Sequence, residues 1–199
     1  MVVREGEERS RKEKAADAAI HVIADEGLRG LTHRAVDTRA GLPDGSTSSC
    51  FRTRLALLCG VLDRAVERHE AVLAQWPATG WRNDTAEQRD EVVTMLTDLL
   101  EYWLGDGRAE SQARLELYLD AVRHPEMRPY LEKASSRFLG RAVAGFRDAG
   151  VPDPEAKGRL VLALLDGILF DALARPFFGP ADRTWLRTAV DGTLAAVGV

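Results

Sequence analysis

The sequence predicts an all-α protein of about nine helices, with a small N-terminal three-helix unit joined by a long fourth helix to a C-terminal helical bundle. Two observations carry that prediction. Apolar residues recur at helical spacing along nearly the whole chain, while alternating patterns are absent and β-branched residues never cluster. Glycine, proline and short hydroxyl or acidic residues also punctuate the chain at helix-length intervals, as caps and stops do.

The first helix is predicted over 9–26, with Ala16, Ala19, Ile20 and Ile23 on one stripe and Gly27 as its left-handed stop. Thr32 is a good N-cap for a short second helix to about Ala40, which Gly41 ends. Leu42-Pro43-Asp44-Gly45 makes a tight connection to a third helix ending near Phe51. Thr53 caps a long fourth helix, 54–75, whose stripe of Leu58, Val61, Leu62, Ala65, Val72 and Trp76 is interrupted by His69. The segment WPATGWRND, 76–84, breaks the pattern. A fifth helix follows at 85–104, a GDG turn, and a sixth at 108–123, divided by His124-Pro125 from a seventh at 127–148. Asp153-Pro154 opens the eighth, which runs to about Ala174, with proline where the first helical turn needs no N–H. RPFFGPAD then turns the chain into a ninth helix from about Asp182 to Ala196. The domain division this implies is 1–53 and 54–199, with helix 54–75 as connector.

The 199 residues are 45% apolar and 29% charged, a globular composition. The longest apolar run is too short to span a bilayer, and the charged N-terminus lacks a leader's apolar core, so a cytoplasmic protein is expected. Cys50 and Cys59 suit a reducing compartment and form no metal-binding pattern. The four histidines share no metal-binding spacing, and no phosphate loop or catalytic constellation is visible, so no metal, no cofactor and no enzyme are expected. The net charge of −4 is unevenly spread: residues 1–54 hold 10 Lys/Arg against 9 Asp/Glu, and the remainder 17 against 22.

Two short helices joined through glycine form the outline of a helix-turn-helix, whose second helix enters the major groove of DNA. Ala35, Val36, Leu42 and Phe51 supply the apolar contacts between them, which leaves Ser46, Thr47, Ser48 and Ser49 to face outward. Small hydroxyls bond phosphates or base edges, and a thin helix sits deep in a groove. The run EGLRGLTHRAVDTRAGLPDGSTSSCFRTRLALL resembles the DNA-binding domain of the tetracycline-repressor (TetR) family of bacterial transcription regulators. The match is carried by Gly27, Leu31-Thr32, Arg34-Ala35-Val36, Ala40-Gly41, Gly45-Ser46, Phe51, Arg54 and Leu57-Leu58. LLDGILFDALARP similarly resembles the family's eighth helix. Where the family carries aromatics before the phenylalanine, this chain has Ser48, Ser49 and Cys50.

The resemblance implies a homodimer that binds a near-palindromic double-stranded operator, represses, and is released by a small-molecule, largely apolar effector. The candidate DNA-contacting residues are Thr32, His33, Arg34, Gly45, Ser46, Thr47, Ser48, Ser49, Arg52 and Arg54, and the resemblance puts Arg54 in the place of the family's phosphate-contacting lysine. Arg11, Lys12 and Lys14 are within reach of a flanking groove. Trp103, Tyr118, Phe138, Asp166 and Phe170 are the candidate effector lining. The eighth helix is apolar almost all round and needs a second partner, so Leu165 and Leu169, with Trp185, Leu186, Ala189 and Val190 of the ninth, are the candidate dimer interface. The competing reading is a helical ligand-binding or interaction protein of the same ancestry with weakened or lost DNA binding.

Overall fold

A computed structural model describes residues 10–75, 82 and 84–199. Trp76, Trp81 and most of the 76–84 break lie outside the described residues. Within them the chain forms nine α-helices and no strand: α1 (Arg11–Gly30), α2 (His33–Ala40), α3 (Ser46–Cys50), α4 (Arg54–Leu73), α5 (Ala86–Leu104), α6 (Arg108–Ala121), α7 (Arg128–Asp148), α8 (Pro154–Ala174) and α9 (Arg183–Ala196). Two short 3-10 turns, Pro125–Met127 and Pro176–Phe178, mark the α6–α7 and α8–α9 connections.

The helix starts follow from local chemistry. Ser10 accepts from the Glu13 amide while the Glu13 carboxylate accepts from the Ser10 amide, a reciprocal cap that satisfies two otherwise unpaired donors. Thr32, Thr53, Thr85 and Asp182 each accept from the backbone three residues on. Gly41, at φ +62°, closes α2 in the left-handed conformation that a side chain would disfavour. Gly27 is also left-handed, φ +69°, but it interrupts α1 instead of ending it, and another turn continues to Gly30.

Two apolar cores fill the molecule. The first gathers Ala15, Ala19, Ile20 and Ile23 of α1 with Val36, Phe51, Leu58 and Leu62, and reaches across to Ala113 and Leu117 of α6 and Leu131 of α7. Phe51 lies so close over Gly60 of α4 that a β-carbon there would strike its ring. The second core joins Leu96, Leu100 and Trp103 of α5 to Phe146, Val161, Leu165 and Leu169, and to Leu186, Val190 and Leu194 of α9. An ionic ladder runs along the α5–α9 seam, with Arg89 on Asp191, Arg187 on Asp90 and Thr94, and Arg183 on Asp98 and Glu101. His69, which the sequence shows as an interruption of the α4 stripe, is fully buried on that stripe at 1% exposure.

Candidate functional site

The helix-turn-helix is built around one buried carboxylate. Asp37 of α2, 2% exposed, accepts from the Gly45 amide at 2.8 Å, the Thr47 amide at 2.8 Å and the Thr47 hydroxyl at 2.6 Å. Burial pushes its carboxyl upward, but the Thr47 hydroxyl, the Thr47 amide and the Gly45 amide together outweigh it and hold the group below its usual range. Gly45 turns the chain at φ +87°, a conformation glycine adopts without strain. On the other side, the His33 Nε2–H donates to the Phe51 carbonyl at 2.7 Å, so both ends of α3 are tied to α2. The acceptor fixes the His33 tautomer with its proton on Nε2.

This geometry corrects one expected outward position. Thr47 is fully buried, because its hydroxyl is spent on Asp37, and it presents nothing to solvent. Ser48 and Ser49 are exposed, each donating its hydroxyl to the Gly45 carbonyl at 2.9 Å and keeping oxygen lone pairs free to accept. Ser46 is half-buried, and Gly45, Thr32, Arg34 and Arg52 are exposed. Arg54 donates to the Leu31 carbonyl at 2.8 Å and the Leu28 carbonyl at 2.6 Å, closing the turn that follows the Gly27 break. Its first role is therefore to tie α4 to the end of α1. The Lys12 ammonium sits 5.7 Å from the Phe51 ring centroid, which brings the N-terminal basic run beside the end of α3. Asp37 is the residue that sequence reasoning missed; the signal was an acid on the inward stripe beside Val36.

The second candidate site lies in the bundle. A cavity of about 560 Å³ is bounded by α5, α6, α7 and α8, with Trp103, Arg114, Tyr118, Glu132, Ser135, Phe138, Arg159 and Asp166 on its wall. That is within the usual size for small-molecule pockets. Four expected lining residues, Trp103, Tyr118, Phe138 and Asp166, meet there. Phe170 does not: it is 44% exposed on the outer side of α8, under the Arg175 guanidinium at 5.7 Å. A smaller apolar cavity of about 70 Å³ lies beyond, lined by Met95, Leu96, Leu99, Phe146 and Leu194, and shares Trp103, Phe138, Leu162 and Leu165 with the larger one.

The inner wall is aromatic. The His69 ring packs against Trp103 at 5.7 Å, Phe138 at 6.1 Å and Tyr102 at 6.4 Å between centroids. Burial, with the Arg114 and Arg68 charges adding to it, pushes the His69 pKa down to about 3, so its imidazole is neutral at pH 7. Arg114 binds Asp166 at 2.9 Å, and the Tyr118 hydroxyl lies 2.8 Å from the Ser135 hydroxyl. One turn before Arg114 on α6, buried Glu110 pairs with Arg68 of α4, which also lies 3.4 Å from Asp17 of α1.

The expected dimer positions need correction. Leu165, Leu169, Leu186 and Val190 are buried in the chain's own second core, and a partner cannot reach them. Trp185 and Ala189 remain partly exposed. The uncovered face of α8 is set by a rotation of about one residue: Leu160, Ala163, Leu164, Gly167, Phe170 and Ala174 follow one another at helical spacing. Phe177 and Phe178, 75% and 71% exposed, extend it beyond the helix end.

A helix-turn-helix followed by a cavity-bearing helical bundle defines a one-component regulator architecture. The model of the tetracyclin repressor-like C-terminal domain matches residues 87–196. The chain belongs to the TetR family of transcription regulators. The multidrug binding protein EbrR, solved with imidazole, is 30% identical, with a TM-score of 0.67 over 94% of this chain and 96% of that one. EbrR has also been solved with proflavin, ethidium and malachite green. A TetR-family member from Streptomyces coelicolor A3 is 29% identical, with a TM-score of 0.73 over 93% of this chain and 98% of that one. A transcriptional regulator from Rhodococcus sp. Rha1 shares the fold, at 22% identity and a TM-score of 0.76 over 94% of this chain and 96% of that one. No curated protein matches the chain.

Proposed function

We propose that the chain is a homodimeric, ligand-responsive DNA-binding regulator, acting as a repressor on a near-palindromic operator and released by a small molecule. The observation that carries the reading is α3: five residues long, fixed at both ends by Asp37 and His33, and exposing Ser48 and Ser49 instead of apolar side chains. A helix pinned so firmly yet turned to solvent suits a groove partner. Ser48, Ser49 and Arg34 offer contacts to bases and phosphates, Thr32, Gly45, Ser46 and Arg52 flank them, and Arg54 has guanidinium capacity left for a phosphate. Residues 1–53 form the reading unit in this account, and 54–199 the sensing and pairing unit.

The bundle cavity is the effector site, and EbrR's dye complexes support small-molecule binding in this architecture. Occupancy acts on Asp166 and Arg114, and Glu110, on the same face of α6, passes the shift through Arg68 to Asp17 of α1. DNA and effector then oppose each other by one coupling energy. The uncovered α8 face with Trp185 of α9 pairs two copies, and two-fold symmetry sets two α3 helices about one DNA turn or somewhat more apart.

A gel shift on the DNA upstream of the chain's own coding region tests the reading. The expected result is a retarded complex that weakens steeply as salt rises. The competing reading, a bundle that binds ligand without reading DNA, is favoured by the Ser48 and Ser49 hydroxyls turning back on Gly45. It predicts no retardation at low ionic strength.

A further inference from the structure

The polar end of the larger cavity is left unfinished by its own residues. Arg114 is 9% exposed, with its guanidinium carbon 5.9 Å from the Trp103 ring centroid and 5.7 Å from that of Tyr118. Asp166 engages its Nη2 with a single bond of 2.9 Å. The Arg114 Nε–H has no partner among the described residues, and neither has the buried Trp103 Nε1–H. Both residues line the cavity, and the two unpaired donors are buried atoms of these lining side chains. Buried donors left unpaired are costly, and a ligand that supplies an acceptor recovers the loss.

The charge pattern gives the acceptor its sign. The buried Arg114 guanidinium is bonded to Asp166 through Nη2 alone, and the Asp166 side chain is 43% exposed and correspondingly screened. The carboxylate Glu132 and the cation Arg159 sit at the exposed rim and offset one another. Beyond the Trp103–Phe138 pair the wall becomes wholly aliphatic and aromatic toward the 70 Å³ cavity, with Arg141 as its charged margin.

We infer that this cavity takes an effector with a carboxylate head and an apolar body, the head on the Arg114 guanidinium and the body running along Trp103 and Phe138. Guanidinium presents Nε–H and a terminal N–H side by side, the fork that a carboxylate matches with two bonds. A cationic ligand instead meets a fixed buried cation. This rests on the cavity being the effector site and chooses the ligand class within it.

Calorimetric titration of the full chain with decanoate, 1-decanol and decyltrimethylammonium holds the tail constant and varies the head. The expected order places decanoate about tenfold or more tighter than the other two, the equivalent of a charge-assisted bond gained. Arg114→Met erases that preference. Asp166→Asn, at a half-exposed position, removes the charge competing for Arg114 and tightens decanoate. Tightest binding of the ammonium, binding of none of the three, or a decanoate affinity that Asp166→Asn leaves unchanged or weakens would overturn the inference. DNA release is read separately by gel shift. Decanoate that binds with the predicted preference but frees no DNA upholds the ligand class and refutes effector release. An ammonium that binds best and does free DNA does the reverse.

Discussion

Replacing Asp37 removes the single acceptor on which three donors of the α2–α3 connection converge. Each hydrogen bond to a charged partner is worth about 1.5–3 kcal/mol, and three on one carboxylate are not independent, so Asp37→Ala costs about 3–5 kcal/mol. That is a large part of the roughly 5–15 kcal/mol holding a typical domain together. Asp37→Asn keeps one carbonyl but turns an amide N–H₂ toward donors, and costs about 2–3 kcal/mol. Thr47→Val preserves shape and loses the hydroxyl bond alone, at about 1–2 kcal/mol. Urea unfolding followed by circular dichroism reads the series. With a slope near 2 kcal/mol per molar, Asp37→Ala moves the midpoint down by about 2 M, and the slope stays constant across the variants. DNA affinity falls in the same order, because the carboxylate sets where α3 starts. An Asp37→Ala midpoint within about 0.3 M of wild type would refute the reasoning. At neutral pH the whole contribution is present. The folded carboxyl titrates below its unfolded value of 3.8, so the stabilisation is complete above 3.8 and is lost as pH falls through the lower folded value.

Three further expectations follow from the geometry. His69 is neutral when folded, with a pKa near 3 against 6.5 unfolded. Unfolding therefore takes up a proton between those values, and stability falls by about 1.4 kcal/mol per pH unit as pH drops through that window. His69→Gln flattens that part of a stability–pH curve, and an unchanged slope would contradict the burial argument. Arg54→Ala loses the bonds to the Leu28 and Leu31 carbonyls and costs about 1–2 kcal/mol in thermal or urea unfolding, besides any phosphate contact. Phe170→Glu places a charge on the uncovered α8 face, so sedimentation should report a monomer while helicity and the cavity remain intact; a dimer of wild-type affinity would move the interface elsewhere.

The helix order was legible because its signals are local. Thr32, Thr53 and Gly41 act on their own turn, and each marks a boundary in the sequence as it does in the structure. Registers set by tertiary packing were less readable. The α3 segment STSSC is small and polar on every side, so its sequence does not say that Thr47 turns inward; Asp37, ten residues earlier, decides that. Helix α8 is apolar nearly all round, so periodicity could not tell the core-facing Leu165 and Leu169 from the outward Leu164 and Phe170. Four of the five effector-lining candidates converge because large side chains at the bundle's centre have few other places to go; Phe170 fails with the same α8 register. Arg114 went unremarked, and His69 read as an interruption of the α4 stripe, because charged and titratable residues read as surface until their burial is known.

The account turns on α3 entering a DNA groove twice per dimer. Selection of bound fragments from random duplex DNA by the purified chain tests this most directly. The account predicts enrichment of near-palindromic sites whose half-sites lie about one helical turn or slightly more apart. Recovery of no enriched sequence at low salt, or of a lone half-site without its symmetric mate, would contradict it.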